Sequence, residues 1–471
     1  MTVSPSTGAD VLPLPTSLRV LSLNCWGLKF LSTHRAARLA EIGHQLSLCS
    51  PPPEIVGLQE CWTQADYLCI RELTQQILPH GKFYFSGIFG GGLAILSKWP
   101  IEESSMYRYS LNGRPQAFFR GDWYVGKGVA SARIRVGPRR RDVVEVFCTH
   151  LHAPYEREPN DSYLCHRTAQ AWEIAKMMRH ARERGHAVVG LGDFNMIPRS
   201  LAHRIVEAHG GGVRDVWRVV KPESAVGAAE DSAEKARVGV EAGVPSAGWC
   251  LEEHGTTCDS RFNTWRWSKP MQKALAKGQD TIIDPGVPDH RAKRLDYIFF
   301  ASPAGQDWRV EAVKVGFTMR HPTLLCSLSD HFSIEATLVR QPSTESKRMN
   351  DDSEQPMITP LPPSTYDEIL AVIATYNARE RKQRRWRLAH FVSQVLIAIA
   401  CLIAVWWSPR NYVSFILMLI STLGLSAGVL DGLMGGLFVG SEIRALKEFE
   451  FEIRGAREMA LRESGGGGWG K

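Results

Sequence analysis

AVVGLGDFN, residues 187–195, reads as a short apolar run that ends in a glycine and then in Asp193 and Asn195. Five to eight apolar residues bounded by turn formers are the pattern of a buried strand. Working outward, LRVLSLN (18–24), EIVGLQE (54–60), GLAILSKWP (92–100), VASARIRV (129–136), VVEVFCTHL (143–151), RLDYIFF (294–300) and HFSIEATLV (331–339) read the same way. Between them, HRAARLAEIGHQL (34–46) and SYLCHRTAQAWEIAKMMRHARE (162–183) have the spacing of amphipathic helices. Many strands interleaved with helices over residues 18–340 predict a layered α/β sandwich. Residues 222–248, rich in Ala, Gly, Glu and Ser, read as a surface insert.

A chain of 471 residues is too long for one compact domain. The formal charge of +7 permits an anionic partner without choosing between nucleic acid and an acidic membrane. Ten cysteines occur with no C-x2-C pair, which argues against a common zinc site and for reduced thiols. The start, residues 1–17, has neither a basic end nor an apolar centre, so no secretory leader is expected.

Composition changes after a polar, proline-rich linker at 341–364. Residues 388–407 (LAHFVSQVLIAIACLIAVWW) form a run of about 30 Å as a helix, the thickness of a bilayer core. Residues 413–440 form a second run, broken only by Asp431. Two such runs separated by a short turn predict a transmembrane hairpin. The basic stretch at 377–390 (NARERKQRRWRLAH) holds six Lys or Arg, against Arg410 alone in the turn, so both long ends are expected in the cytosol, with a tail at 441–471. The basic run at 365–387 would lie against anionic headgroups. Gly424, Gly428, Gly432, Gly436 and Gly440 recur every four residues, a ridge suited to packing on the first span or on a second molecule.

The strand ends carry the chemistry. Asn24, Glu60, His150, Asp193, Asn195, and Asp330 with His331 stand there, and Asp296 joins them from inside a strand. A lone Asn or Glu of this kind is usually a turn or solvated residue. Four carboxylates, two amides and two histidines converging without a His/Cys cluster favour a hard, oxygen-liganded cation such as Mg²⁺. Phosphodiester hydrolysis needs such a cation, a base for water and an acid for the leaving alkoxide.

In this order the motifs resemble the endonuclease/exonuclease/phosphatase superfamily, the DNase I-like fold. Within it, NGRPQAFFRGDWYVGKG (112–128), TTCDSRFNTW (256–265) and the C-terminal double span resemble the neutral sphingomyelinases and the fungal inositol phosphosphingolipid phospholipases C. The resemblance implies a four-layer sandwich followed by the hairpin, and a Mg²⁺-dependent release of ceramide from a sphingophospholipid. It implies Glu60 and Asn24 as metal residues and Asp193 with Asn195 on phosphate and water. It implies His331 as base oriented by Asp296, Asp330 in the metal and phosphate network, and His150 as the second histidine. Which histidine is base and which acid stays open, as does the choice between inositol phosphate and phosphocholine. His152, Asn263 and Asp259 are candidate headgroup contacts. Anionic phospholipid is the implied activator, nucleic acid is not an expected partner, and self-association through the glycine ridge is a further expectation. The implied location is an endoplasmic reticulum or mitochondrial membrane. A tethered nuclease, a phosphoinositide phosphatase and a lipid-binding pseudoenzyme are the alternatives.

GDWYVGKG (121–128) nearly spells a nucleotide loop, but Gly128 stands where a hydroxyl would hold Mg²⁺, and a strand rather than a helix follows. The resemblance instead implies that Asp122 and Lys127 pair near the catalytic pocket.

Overall fold

The structure is a computed structural model, and residues 13–156, 160–224, 243–303, 305–341 and 360–464 are described. Most of the surface insert expected at 222–248 and of the linker expected at 341–364 lies outside the described residues.

By its internal contacts the chain divides into two units, the first holding residues 1–109, 124–163 and 170–360. This unit contains two six-stranded sheets. The first runs in the order β11 (Trp308–Gly316), β12 (Ser333–Arg340), β1 (Ser17–Asn24), β2 (Ile55–Gln59), β4 (Leu93–Ser97), β3 (His80–Tyr84). The second runs β5 (Ile101–Arg108), β6 (Gly128–Arg135), β7 (Val143–His150), β8 (Ala187–Asp193), β10 (Asp296–Ala301), β9 (Arg214–Asp215). The eight strands expected from the sequence form the centres of the sheets. The four not expected, β3, β5, β9 and β11, are the four sheet edges.

Period-2 alternation decides which face each residue takes. Leu18 and Val20 of β1, Val144 and Val146 of β7, Val189 and Leu191 of β8, and Ile298 of β10 share one core between the sheets. At Gly57 the sheets come so close that a Cβ would sit 1.9 Å from Leu191 Cδ1. Leu21 and Leu23 point the other way and pack with Ile42 and Leu46 of the helix Arg35–Leu48 and Ile70 of the helix Gln64–Thr74. On the far side of the second sheet, Met178 of the helix Leu164–Glu183 lies over Gly190. Helix, sheet, sheet, helix is the four-layer sandwich the resemblance implied.

The same alternation positions the polar strand ends. Asn24, His150, Asp193 and Asp296 have the parity of the inward-facing residues of their strands, so they project into the inter-sheet space where the apolar core stops. Register brings them side by side: His150 is opposite Asp193 in the parallel pair β7–β8, and Asp296 is opposite Asp193 in the antiparallel pair β8–β10. A slip of one residue would turn any of them out of that space.

The second unit comprises residues 110–123, 164–169 and 361–471. It is built on a 43-residue helix, Pro363–Val405, and a returning helix, Asn411–Leu433, which continues through a π-helical turn, Met434–Phe438, into Val439–Ser464. Two helices here are long and apolar enough to cross a membrane. They pack as an antiparallel hairpin through part of the glycine ridge. A Cβ on Gly428 would meet Gln394 Cβ at 2.6 Å, and one on Gly432 would meet the Phe391 ring at 2.9 Å. The strict spacing of four then fails. Gly436 and Gly440 have open space around them, and Gly435 faces Arg387 instead. The π turn supplies the reason, since its wider winding rotates the following residues off the ridge. Asp431 is paired with Arg387 and lies 2.7 Å from His390 Nδ1, so its charge is compensated inside the hairpin.

Two pieces of mid-chain sequence join this unit. His166 Nε2 and the Tyr376 hydroxyl both meet Glu442 Oε1, at 3.1 and 2.6 Å, and Gln116 donates to both carboxylate oxygens of Glu380. Glu380 is fully buried, and burial together with Glu442 raises its carboxyl to about 7.

Candidate active site

Asp193 is the centre of the cluster. Its Oδ1 accepts from the Asn195 amide at 2.9 Å, and its Oδ2 accepts from Asn24 Nδ2 at 3.0 Å. The same Oδ2 is approached by His150 Nε2 at 3.5 Å and by His331 Nε2 at 3.9 Å. Asn24 Nδ2 also reaches Glu60 Oε1 at 3.1 Å, while its Oδ1 accepts from the Trp26 amide. One amide therefore holds the Asp193 and Glu60 carboxylates at a fixed spacing. Glu60 and Asn195 are both in left-handed backbone, φ +54° and +47°. That conformation is costly for residues with a Cβ and turns both chains sharply at their strand ends.

His331 is locked from the other side. Its Nδ1 lies 2.8 Å from Asp296 Oδ2, and its backbone N–H donates to Ser329 Oγ, which in turn donates to the Asn24 carbonyl. Burial pulls the His331 imidazole down, but Cys258, Asp296 and Asp193 outweigh it and raise it well above the usual histidine range. His150 behaves oppositely. Burial, Lys127 and His331 hold it well below 6.5, so it is neutral at pH 7. Burial and Asp296 raise Asp193 against the opposing pull of His331, Asn195 and Asn24. Burial likewise raises Asp330, helped by Glu60 and opposed by His331 and Arg38. The two histidines thus differ in protonation before any ligand arrives.

Glu60 Oε2 is shielded from solvent and has no hydrogen-bond partner among the described residues. A carboxylate oxygen so placed, with Asp330 in electrostatic reach, fits a hard cation held by oxygen donors. The nearest oxygen and nitrogen atoms of Asp193, Asp296 and His331 also lie within 4.8 Å of one another, but His331 Nδ1 is engaged by Asp296.

The remaining expected residues are distributed more widely. Lys127 is buried and its Nζ donates to the Leu151 carbonyl at 3.0 Å, the same carbonyl that accepts from Asn195 Nδ2. Asp122 begins the short helix Asp122–Val125 and belongs to the second unit. Gly128 opens β6, where a Cβ would lie 2.1 Å from the Tyr107 carbonyl, so no hydroxyl residue fits and no nucleotide loop forms. His152 has other partners. It is fully buried, stacked on Tyr163, with Nδ1 2.6 Å from Gln170 Nε2. Asn263 is buried, donating to the Ser329 carbonyl and capping the turn at Trp265. Asp259 is paired with Arg291 and Lys293.

Sequence reasoning missed Arg38, which shares the buried face of the helix Arg35–Leu48 with Leu39, Ile42 and Leu46. Its guanidinium is buried and donates to the carbonyls of Cys25, Trp26, Thr33 and Leu328, bracing the loop after β1 against the segment before His331. An arginine in an amphipathic helix carries no sign of this in the sequence.

Residues 21–331 match the Endonuclease/Exonuclease/phosphatase family. The chain is 40% identical over 438 residues to the inositol phosphosphingolipids phospholipase C of Schizosaccharomyces pombe, covering 93% of each. It is 33% identical over 466 residues to the protein of that name in Saccharomyces cerevisiae, covering 93% of this chain and 89% of that one. Sphingomyelin phosphodiesterase 2 of Mus musculus shares 39% identity over 184 residues, 39% of this chain and 42% of that one. Family match, near full-length similarity and the clustered strand ends agree: the chain belongs to the Endonuclease/Exonuclease/phosphatase family, in the group of phosphodiester hydrolases that includes the fungal inositol phosphosphingolipid phospholipases C and the neutral sphingomyelinases.

Proposed function

We propose that the chain is a divalent-metal-dependent phospholipase C, with Mg²⁺ as the metal, that hydrolyses a sphingophospholipid to ceramide and a phosphorylated headgroup. One observation carries this reading. The similarity to the S. pombe enzyme extends over 438 residues and 93% of both chains, so it reaches beyond the catalytic domain. A nuclease of the same fold has no use for the hairpin.

In this reading Glu60 and Asp330 hold the metal, with Asn24 fixing Glu60 from behind. The metal, when bound, neutralises phosphate charge and stabilises the departing alkoxide. Asp193 Oδ2 and Asn195 orient the water. The raised Asp193 carboxylate is the better base for taking its proton. His331, kept protonated by Asp296, presents its Nε2–H to the phosphate, and neutral His150 supplies the second contact. Lys127 adds positive charge beside His150. The apolar hairpin anchors the chain in a membrane with both ends on the cytosolic side, and the basic run at 379–387 meets anionic lipid there, the proposed activator.

The test is ceramide release from inositol phosphoceramide and from sphingomyelin by the purified full chain, with Mg²⁺ or with EDTA, alongside a DNA duplex. Metal-dependent ceramide release with intact DNA is expected. Activity surviving EDTA, or cleavage of the duplex alone, would overturn the reading.

A further inference from the structure

Beside the phosphodiester cluster, within the first unit, opens a cleft of about 770 Å³, in the size range of sites for small molecules. Asp330 and Cys258 line it and flank His331: Asp330 precedes it in sequence, and Cys258 is bridged to its backbone. A group filling the cleft would thus border the residues next to His331.

Two indoles form a wall. Trp26 and Trp265 have ring centroids 4.7 Å apart at an interplanar angle of 58°. Such a pair invites comparison with the aromatic boxes that hold quaternary ammonium ions, which depend on uncovered ring faces and the absence of a competing cation. Neither condition holds. The buried Arg38 guanidinium lies 4.6 Å from the Trp26 ring and 5.6 Å from the Trp265 ring. Its hydrogen bonds among the described residues go to backbone carbonyls, and its charge is felt by Asp330 and Glu60.

The mouth adds to the positive balance. Arg266 and Arg291 line it but are paired, with Asp289 and Asp259 respectively. Lys269 and Lys273, on the helix Lys269–Leu275, line it as well. Lys269 Nζ donates to Gln272 Oε1 at 3.3 Å, and neither lysine has an acidic partner among the described residues. A headgroup that brings its own positive charge meets repulsion here. One that brings hydroxyls and negative charge meets ammonium donors, and its ring can lie against an indole.

We propose that this cleft is the headgroup site and that Lys269 and Lys273 make it selective for a polyhydroxylated, non-cationic headgroup, such as a cyclitol, over choline. The proposal rests on the phospholipase C reading above and adds the residues that choose the substrate.

The experiment uses the full chain in mixed micelles and compares wild type with the Lys269→Glu/Lys273→Glu double variant, both lysines being exposed and remote from the core. Two measurements are made: kcat/KM on inositol phosphoceramide and on sphingomyelin, and calorimetric binding of free inositol phosphate. The expected result is a wild-type preference for the inositol lipid, lowered in the variant by at least about tenfold, mainly through KM, with inositol phosphate binding weakened in parallel. A wild-type preference for sphingomyelin, or a variant that keeps both the preference and the binding, overturns the proposal while leaving the phospholipase C reading intact. Wild type that binds inositol phosphate through the lysines yet cleaves neither lipid supports the cleft and sinks the activity. Failure to bind and to cleave sinks both.

Discussion

Nδ1 of His331 lies 2.8 Å from Oδ2 of Asp296, and this contact fixes which face of the imidazole looks into the site. Because Asp296 is itself held by register opposite Asp193, the orientation of the His331 ring is set by strand pairing. Asp296→Asn keeps the shape and removes the charge that favours a protonated ring. Its kcat is expected to fall by about 10²–10⁴ with an unchanged circular dichroism spectrum. Near wild-type kcat in the folded variant would show that Asp296 serves the fold alone.

Glu60→Gln addresses the metal without relying on turnover. Wild type is expected to gain thermal stability on adding Mg²⁺, because a ligand that binds only the folded state raises its melting temperature. Glu60→Gln, with the unpartnered carboxylate oxygen replaced by an amide, should lose that gain and most activity. A Mg²⁺-dependent shift of wild-type size in the variant would exclude Glu60 as a ligand.

Asp215 provides a pH test away from the site. Burial raises its carboxyl, but Arg294 and His203 overcome this and lower it to about 2. Arg294 Nη1 is 2.6 Å from Asp215 Oδ2, and both side chains are fully buried. A carboxylate with a depressed folded pKa contributes stability that is complete above its unfolded value and disappears as pH falls through the folded one. Wild type should therefore lose this contribution between about pH 4 and pH 2. Asp215→Asn should melt markedly lower at pH 7, by about 3–5 kcal/mol of stability, because it strands the Arg294 charge. The gap between variant and wild type should narrow at the acid end. Equal melting temperatures at pH 7 would refute the argument.

The glycine ridge separates into two halves. Gly428→Leu with Gly432→Leu inserts side chains into Gln394 and Phe391 and should open the hairpin, seen as lost protease protection and lost cross-linking between the two helices. Gly436→Leu with Gly440→Leu should leave both readouts unchanged, since nothing stands within 4 Å of either position. Equal disruption by the two pairs would contradict the displacement caused by the π turn.

What the sequence made legible follows the burial of each strand. The interior strands, apolar on both faces, announced themselves, and their polar ends marked Asn24, His150, Asp193 and Asp296 correctly as a convergent set. β5 and β11 mix exposed charges with partly buried residues, as edge strands do to avoid pairing with other chains, and so carry no continuous apolar signal. His152 lies two residues from His150 in sequence and so reads as a neighbour in the site, yet the chain has left its strand by then and the ring turns inward to Tyr163. Arg38 and the Leu151 carbonyl, which ties Lys127 to Asn195, depend on contacts between distant segments that no local pattern records. The period of four in the glycines was legible, but its interruption was not, because a π turn changes winding without changing composition.

His166 and Gln116 are encoded far from the C-terminus, but Tyr376, Glu380 and Glu442 on the C-terminal helices are their partners, and Trp123 meets Phe438 with ring centroids 5.1 Å apart. The C-terminal helical segment is therefore not an interchangeable cassette. A gene fusion that swapped residues 361–471 for an unrelated anchor would leave residues 110–123 and 164–169 without the surface they evolved against, with buried polar groups newly bare. Recombination at residue 360 would find a break in composition and a unit boundary, but it would split the second unit, so these two internal segments and the C-terminal helices have to be inherited together.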